Sequence, residues 1–223
     1  MERKFEVLES TVTPTFEGLA SVVAVKRLST QMLRAVYYDT ASLDLAARHI
    51  TLRRRTGGTD AGWHLKLPAG PDARTEVRVG LEHGGDDGVP AALRDVVLAI
   101  VRDRPLAPTA RITTSRTIDV LYGGDGDALA EFCDDHVIAS AGGADTEQRW
   151  REWELELDED AVARGRADEQ LLARLSDRLR DAGAAPAGHA SKLARALGSS
   201  AAPTRARGPD DSVHHAVTKQ RRW

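Results

Sequence analysis

Ile50-Thr-Leu-Arg-Arg-Arg-Thr-Gly-Gly-Thr-Asp-Ala-Gly-Trp-His-Leu-Lys-Leu-Pro68 is the stretch that decides how this chain folds. Two runs, Ile50 to Arg55 and Trp63 to Leu67, flank Gly57-Gly58-Thr59-Asp60, residue types that tolerate the positive φ of tight turns, so the stretch reads as a β-hairpin. Alternate side chains on a strand share a face, which makes Arg53 and Arg55 neighbours and sets His64 beside Lys66. Like charges stacked roughly 7 Å apart repel one another, and a solvated face more often mixes signs. The stacking makes sense if the row faces a polyanion.

Working outward, the same period-2 alternation recurs on both sides. Glu2 to Leu8 reads as a first strand, Thr15 to Ala20 as a short helix, and Val22 to Tyr38 as two strands around a turn near Ser29 to Gln31. Ala41 to Arg48 has helix-forming composition. Glu76 to Leu81 reads as a strand, and Pro90 to Arg102, with Leu93, Val96, Val97, Ile100 and Val101 at helical spacing, as an amphipathic helix. Three strands follow, Arg111 to Tyr122, Ala128 to Ala139 and Thr146 to Leu157, separated by Gly123-Gly124-Asp125-Gly126 and Gly142-Gly143-Ala144-Asp145 in the manner of a meander. Asp160 to Ala182 reads as one long helix with Leu171, Leu172, Leu175 and Leu179 in a stripe, and Ser191 to Leu197 as a short final helix. The expected layout is one domain over residues 1–197, then a flexible tail or linker over 198–223. His214-His215 in that tail lacks further ligands and is read as bland.

The last strand of the meander carries the opposite charge. Trp-Arg-Glu-Trp-Glu-Leu-Glu-Leu places Glu152, Glu154 and Glu156 on one face and Trp153, Leu155 and Leu157 on the other. A cationic and an anionic row facing one cavity would have partners in a polyanion and a divalent metal. The apolar faces would then need cover from the helices outside. Further same-face polar sets are Glu2, Lys4 and Glu6; Arg74, Glu76 and Arg78; and Glu131, Cys133 and Asp135. The rival reading is a wet, charged sheet face on which arginine rows pair with glutamate rows across strands.

Bulk properties exclude more than they identify. The net charge is −3 over 223 residues, so any basic site is a local concentration and not a global one. Cys133 is the only cysteine, which rules out an internal disulfide or a cysteine-cluster metal site and fits a cytoplasmic location. No apolar run approaches the about 20 residues needed to cross a bilayer, and no membrane partner is expected. The basic residues alternate on several strands without an exposed stripe of stacking aromatics, so a nucleic-acid partner is not expected either.

In this order, Glu-Arg-Lys-Phe at 2–5, Tyr-Tyr-Asp-Thr at 37–40, Ile-Thr-Leu-Arg-Arg-Arg at 50–55, His-Leu-Lys-Leu-Pro at 64–68, Glu-Leu-Glu-Leu at 154–157 and Ser-Lys at 191–192 resemble the CYTH family. These are the triphosphate tunnel metalloenzymes, which include inorganic triphosphatases, thiamine triphosphatases and a class of adenylate cyclases. The resemblance implies a mainly β (α+β) fold, a closed antiparallel β-barrel of about eight strands forming a charged tunnel, with helices packed outside. It implies that Lys4, Arg53, Arg55, Lys66, Arg74, Arg116 and Lys192 bind phosphate oxygens, with Arg34 and Arg111 as further candidates. Glu2, Glu154 and Glu156 would serve Mg²⁺ or Mn²⁺, and Glu76, Glu131, Asp135 and Glu152 would complete the acidic wall. Lys4, Glu154 and Glu156 would be the catalytic set.

The family pattern Glu-x-Glu-x-Lys is represented by Glu2 and Lys4 alone, its first glutamate falling before Met1, with Glu6 on the same face as a substitute. The implied activity is metal-dependent hydrolysis of a triphosphate or polyphosphate, with a non-catalytic polyphosphate-binding module as the alternative and thiamine triphosphate or adenosine chemistry behind it. Proteins in which such a domain precedes a helical CHAD domain supply one further expected partner.

Overall fold

The computed structural model describes residues 1–69, 74–84, 88–141 and 147–198. Its strands are β1 (Glu2–Val7), β2 (Ala24–Arg27), β3 (Gln31–Asp39), β4 (Thr51–Thr56), β5 (Gly62–Pro68), β6 (Arg74–Val79), β7 (Ala107–Tyr122), β8 (Ala128–Ala141), β9 (Gln148–Leu157) and β10 (Ala185–Pro186). Its helices are α1 (Ala91–Val101), α2 (Glu159–Ala163), α3 (Glu169–Asp181) and α4 (Lys192–Ala196). All strands join one antiparallel sheet in the order β10-β1-β9-β8-β7-β3-β4-β5-β6, with β2 pairing β7 off that path. The decisive hairpin forms as expected: Arg53 pairs His64 and Arg55 pairs Gly62, while Gly57 and Gly58 take φ of 83° and 73°. A Cβ on Gly57 would lie 2.1 Å from the Met32 carbonyl oxygen, so this turn needs glycine for space as well as for φ.

The expected closed barrel is not what the hydrogen bonds make. Among the described residues β10 and β6 are free edges, and β10 is two residues long and ends in Pro186, which has no N–H to donate. The sheet nevertheless curls strongly. Lys66 on β5 interacts electrostatically with Glu2 and Lys4 on β1, although the two strands stand six places apart in the sheet order. The result is an open barrel with an inner and an outer face.

Apolar side chains fill the outer face in two clusters. Phe5, Phe132, Trp153, Leu155 and Leu157 pack beneath Leu171, Leu172, Leu175 and Leu179 of α3, and Phe16 and Val22 join from the loop after β1. Leu52, Trp63 and Leu65 pack beneath Leu93, Val97 and Val101 of α1. Burying each of these large side chains stabilises the fold by roughly 1.5–3 kcal/mol, which commits the opposite face of the same strands to the interior. That inner face is not wholly polar. A third cluster of Ala35, Tyr37, Ala110, Ile112, Val137, Ala139 and Trp150 receives Leu193 and Ala196 of α4.

Several local expectations are corrected. Thr15 to Ala20 forms turns and no helix, because Gly18 and Ala20 adopt positive φ while Phe16 is drawn into the core. Ala41 to Arg48 yields only a 3₁₀ turn at Ala46–Arg48, organised by buried Asp39, whose carboxylate accepts from the N–H groups of Thr40, Leu45 and Ala46. The strands β2 and β3 both form but do not pair with each other. The long helix over 160–182 is two helices. Gly165 at φ 68° breaks it, and Asp168 restarts it by accepting from the Leu171 N–H at 2.8 Å. The loop at 142–145 and the tail from 199, with His214 and His215, lie outside the described residues. No described helix is long and apolar enough to cross a membrane.

Candidate functional site

Cross-strand register assembles the inner face residue by residue. Glu2, Lys4 and Glu6 on β1 pair with Glu156, Glu154 and Glu152 on β9. Those pair in turn with Glu131, Cys133 and Asp135 on β8, and Asp135 with Arg116 on β7. On the other side of the curl lie Tyr37 on β3, Arg53 and Arg55 on β4, His64 and Lys66 on β5, and Glu76 and Arg78 on β6.

The acidic side is a buried ionic network. Asp135, Glu152 and Glu154 are 0%, 6% and 9% exposed, and one oxygen of each lies within 4.8 Å of the others. The Lys192 ammonium, carried in by α4, donates into all three: 2.8 Å to Asp135 Oδ2, 2.6 Å to Glu152 Oε1 and 2.7 Å to Glu154 Oε1. Ser191 makes that delivery possible by capping α4, its hydroxyl accepting from the Ala194 N–H. The Arg116 guanidinium binds Asp135 through two nitrogens, 2.8 Å from Nε to Oδ1 and 2.6 Å from Nη2 to Oδ2, and also donates to Glu154. Lys4 donates to Glu154 at 2.6 Å and to Glu2. Burial works against the charge on Glu154, but Lys192, Lys4 and Arg116 outweigh it and hold the carboxyl well below its ordinary range. Burial likewise opposes the charge on Lys192 and Arg116, and the same carboxylates hold both above their ordinary values. Cys133, among these groups, is pushed up to about 12, first by burial.

The mouth of this side is different. Glu2, Glu156 and Glu131 lie in one cross-strand row, all exposed, and Glu156 is pushed up first by burial and then by the negative charge of Glu2. No lysine or arginine bond to Glu156 occurs among the described residues. Two groupings could therefore hold a cation. The buried Asp135, Glu152 and Glu154 set already has its charge met by Lys192 and Arg116, whereas of the Glu2 and Glu156 pair only Glu2 has a cation, Lys4, and Glu156 is left for a divalent ion to balance.

The basic side is the reverse. Arg55 binds Asp60 of the hairpin at 2.8 Å, Lys66 approaches Glu76 at 3.9 Å, and Arg53 donates to the Tyr37 hydroxyl at 3.4 Å. The Nε atoms of Arg53 and Arg55 are buried with no hydrogen-bond partner. Arg55 and Lys66 are both pushed down, by burial first and next by the positive charge of Arg53. Arg53 itself is held up despite its burial, chiefly by the Tyr37 hydroxyl and then by Asp60 and Glu76. Glu76 is pulled down to about 2, first by His64 and then, against burial, by Arg78 and Lys66.

The structure thus brings together Glu2, Lys4, Arg116, Glu131, Asp135, Glu152, Glu154, Glu156 and Lys192 on one side and Arg53, Arg55, Lys66 and Glu76 on the other. Arg34 and Arg111 do not join them. Both are exposed on the outer face, since Arg34 pairs Thr56 and Thr113, and Arg111 pairs Val36 and Ser140. Arg74 opens β6 opposite Pro68, its side chain lying outside the described part. Sequence reasoning took Asp60 only as a turn former and gave no role to Tyr37 or to His64 beyond its shared face. The signal that existed was His64 standing at strand spacing from Lys66.

Comparison with known proteins agrees with this layout. A family model described as CYTH domain matches residues 1–182. Two proteins of Mycobacterium tuberculosis, from strains CDC 1551 and H37Rv and both described as uncharacterized, are 60% identical over 233 residues, covering 99% of this chain and 45% of their own length. The chain thus spans less than half the length of these curated relatives. A crystal structure of a Bacillus halodurans protein whose name proposes it as an adenylate cyclase superposes with a TM-score of 0.54 at 18% identity, covering 87% of this chain and 95% of that one, which is likeness of fold. None of these comparisons supports the CHAD partner expected from the sequence.

Proposed function

The chain belongs to the CYTH family, and on that premise we propose that its inner face binds an inorganic triphosphate, or the end of a polyphosphate, and hydrolyses it with a divalent metal. One observation carries this reading. Arg53, Arg55 and Lys66 are packed together with more positive charge than Asp60 and Glu76 can balance, and two buried guanidinium N–H groups have no acceptor. Such a cluster is costly by itself and becomes favourable when a multiply charged anion supplies the missing oxygens.

Within this reading Arg53, Arg55 and Lys66 grip one end of the phosphate chain. Lys4, Arg116 and Lys192, locked by the carboxylates of the opposite wall, present fixed positive charge to the other. Because their positions are set before binding, they lose little freedom when the ligand arrives. Glu2 and Glu156 would hold the metal, Mg²⁺ or Mn²⁺, which when bound neutralises phosphate oxygens and lowers the barrier to attack by water. Glu156, whose oxygens are not committed to lysine or arginine, orients the attacking water in line with the scissile P–O bond. The protein does little covalent work in such a transfer; positioning and charge stabilisation suffice. Tyr37 and Trp150 on the inner face pack with Leu193 and Ala196 of α4 and are not set out to stack an adenine or thiamine ring, which favours an inorganic substrate.

Phosphate release from tripolyphosphate, measured with Mg²⁺, with Mn²⁺ and with chelator, tests the proposal. Metal-dependent release that is lost in Arg55→Gln is expected. Tight binding without release under either metal would leave a polyphosphate-binding module in its place, and absence of binding would overturn the reading.

A further inference from the structure

His64 is 2% exposed and stands in the basic wall, where one more positive charge would be least expected. Both ring nitrogens are engaged. Nε2 lies 2.8 Å from the backbone carbonyl oxygen of Asp60, and Nδ1 lies 2.9 Å from Glu76 Oε1. A carbonyl oxygen only accepts, so Nε2 carries a proton. Glu76 also binds Arg78 through Oε2, at 2.9 Å from Nε and 2.7 Å from Nη2, and an ionised carboxylate likewise only accepts, so Nδ1 carries a proton too. A neutral ring in either tautomer would set a lone pair against an oxygen lone pair at hydrogen-bond distance.

From this arrangement we infer that His64 is a buried imidazolium which positions Arg55, by gripping the Asp60 backbone while the Asp60 side chain grips the Arg55 guanidinium. The chain of contacts is short: Glu76 to His64, His64 to the Asp60 carbonyl, and Asp60 Oδ1 to Arg55 Nη2 at 2.8 Å. It ties the tip of the β4–β5 hairpin to β6 across β5, so the turn that carries Asp60 cannot drift without breaking an ionic contact. The charged groups facing His64 are Arg53 on β4, its register partner; Arg78 on β6, its partner on the other side; Glu76 on β6; and Lys66 two residues along β5. Three of these four are cations, and the two acceptors face the ring nitrogens directly.

The role in ligand affinity rests on the triphosphate reading above, whereas the imidazolium and its grip on Arg55 do not. Nitrogen-15 NMR of the ligand-free protein comes first, with His64 assigned by its loss in His64→Gln. Two ring N–H protons at neutral pH are expected; a single one overturns the inference, and wild-type spectra suffice for this if the variant does not fold. In folded His64→Gln the Arg55 Nε–H resonance should shift, while that of Arg151, which binds Asp134 on the outer face, stays in place; an unmoved Arg55 resonance overturns the positioning role. Tripolyphosphate should bind about 10-fold more weakly to His64→Gln than to wild type. His136→Gln, at an exposed position, should match wild type. Affinity equal in both variants would sink the functional half, and wild-type protein that binds no tripolyphosphate would instead sink the triphosphate reading while the NMR result on His64 stands.

Discussion

The two walls of the bore hold nearly the same kinds of side chain and differ in whether their charges are matched. On the β1, β8 and β9 wall, Asp135, Glu152 and Glu154 meet Lys4, Lys192 and Arg116 at 2.6–2.8 Å, and the shifts of Glu154, Lys192 and Arg116 deepen the ionised state. On the β4 and β5 wall, Arg55 and Lys66 are pushed toward neutrality by burial and by Arg53. The first wall thus has most of its charge met within the protein, and the second has positive charge left over. Counting charges in the sequence does not separate them.

The sharpest way to break this contrast is to remove one carboxylate from the matched wall. Glu154→Gln leaves Lys4, Lys192 and Arg116 sharing what remains, and breaking a buried ionic partnership costs about 3–5 kcal/mol. Urea unfolding should show a loss of that order; a change under about 1 kcal/mol would mean that the network is not a unit. Next in size, Arg55→Gln on the unmatched wall should lower tripolyphosphate affinity at least about 10-fold, which is roughly 1.4 kcal/mol, while leaving the unfolding midpoint unchanged or slightly raised. A large loss of stability there would erase the distinction between the walls.

Two smaller effects sharpen it. Lys66 has a depressed value in the folded protein, so its charge is lost at lower pH than that of an ordinary lysine. Tripolyphosphate affinity followed by calorimetry should accordingly weaken with rising pH earlier than lysine chemistry alone dictates, and Lys66→Met should remove that step. Glu156 has a raised value, so its ionised form costs stability above the usual carboxyl range, and the cost disappears as pH falls through the raised value. Glu156→Gln should raise the melting temperature by a few degrees at most at neutral pH, show no gain in acid, and blunt the further rise produced by added Mg²⁺ or Mn²⁺.

Arg53 and Arg55 were legible in the sequence because strand periodicity alone puts them on one face, and the glycine pair between β4 and β5 fixes where the strand turns. Arg34 and Arg111 were not legible. Periodicity says which residues of one strand agree with each other; register decides which face they share with the next strand, and Arg34 falls opposite Thr56 instead of Arg55. Closure of the sheet depends on how far it curls and on a two-residue strand ending in proline, neither of which has a composition signal. The split between α2 and α3 was visible in Gly165 and Asp168, but the leucine stripe outweighed it. Ser191 and Lys192 gave a capped helix with a cation at its first position, while the three carboxylates that receive that cation come from two other strands.

The pairing of β1 with β9 has a consequence for how the chain is made. Lys4 and Glu154 are 150 residues apart, so β1 leaves the ribosome about 10 s before β9 can pair with it at ordinary rates of synthesis. During that interval an open strand edge invites pairing with the wrong chain. Glu2, Arg3, Lys4 and Glu6 make four of the six residues of β1 charged, the composition that discourages such pairing. The side chains that later complete the bore thus first serve as a guard on the nascent chain.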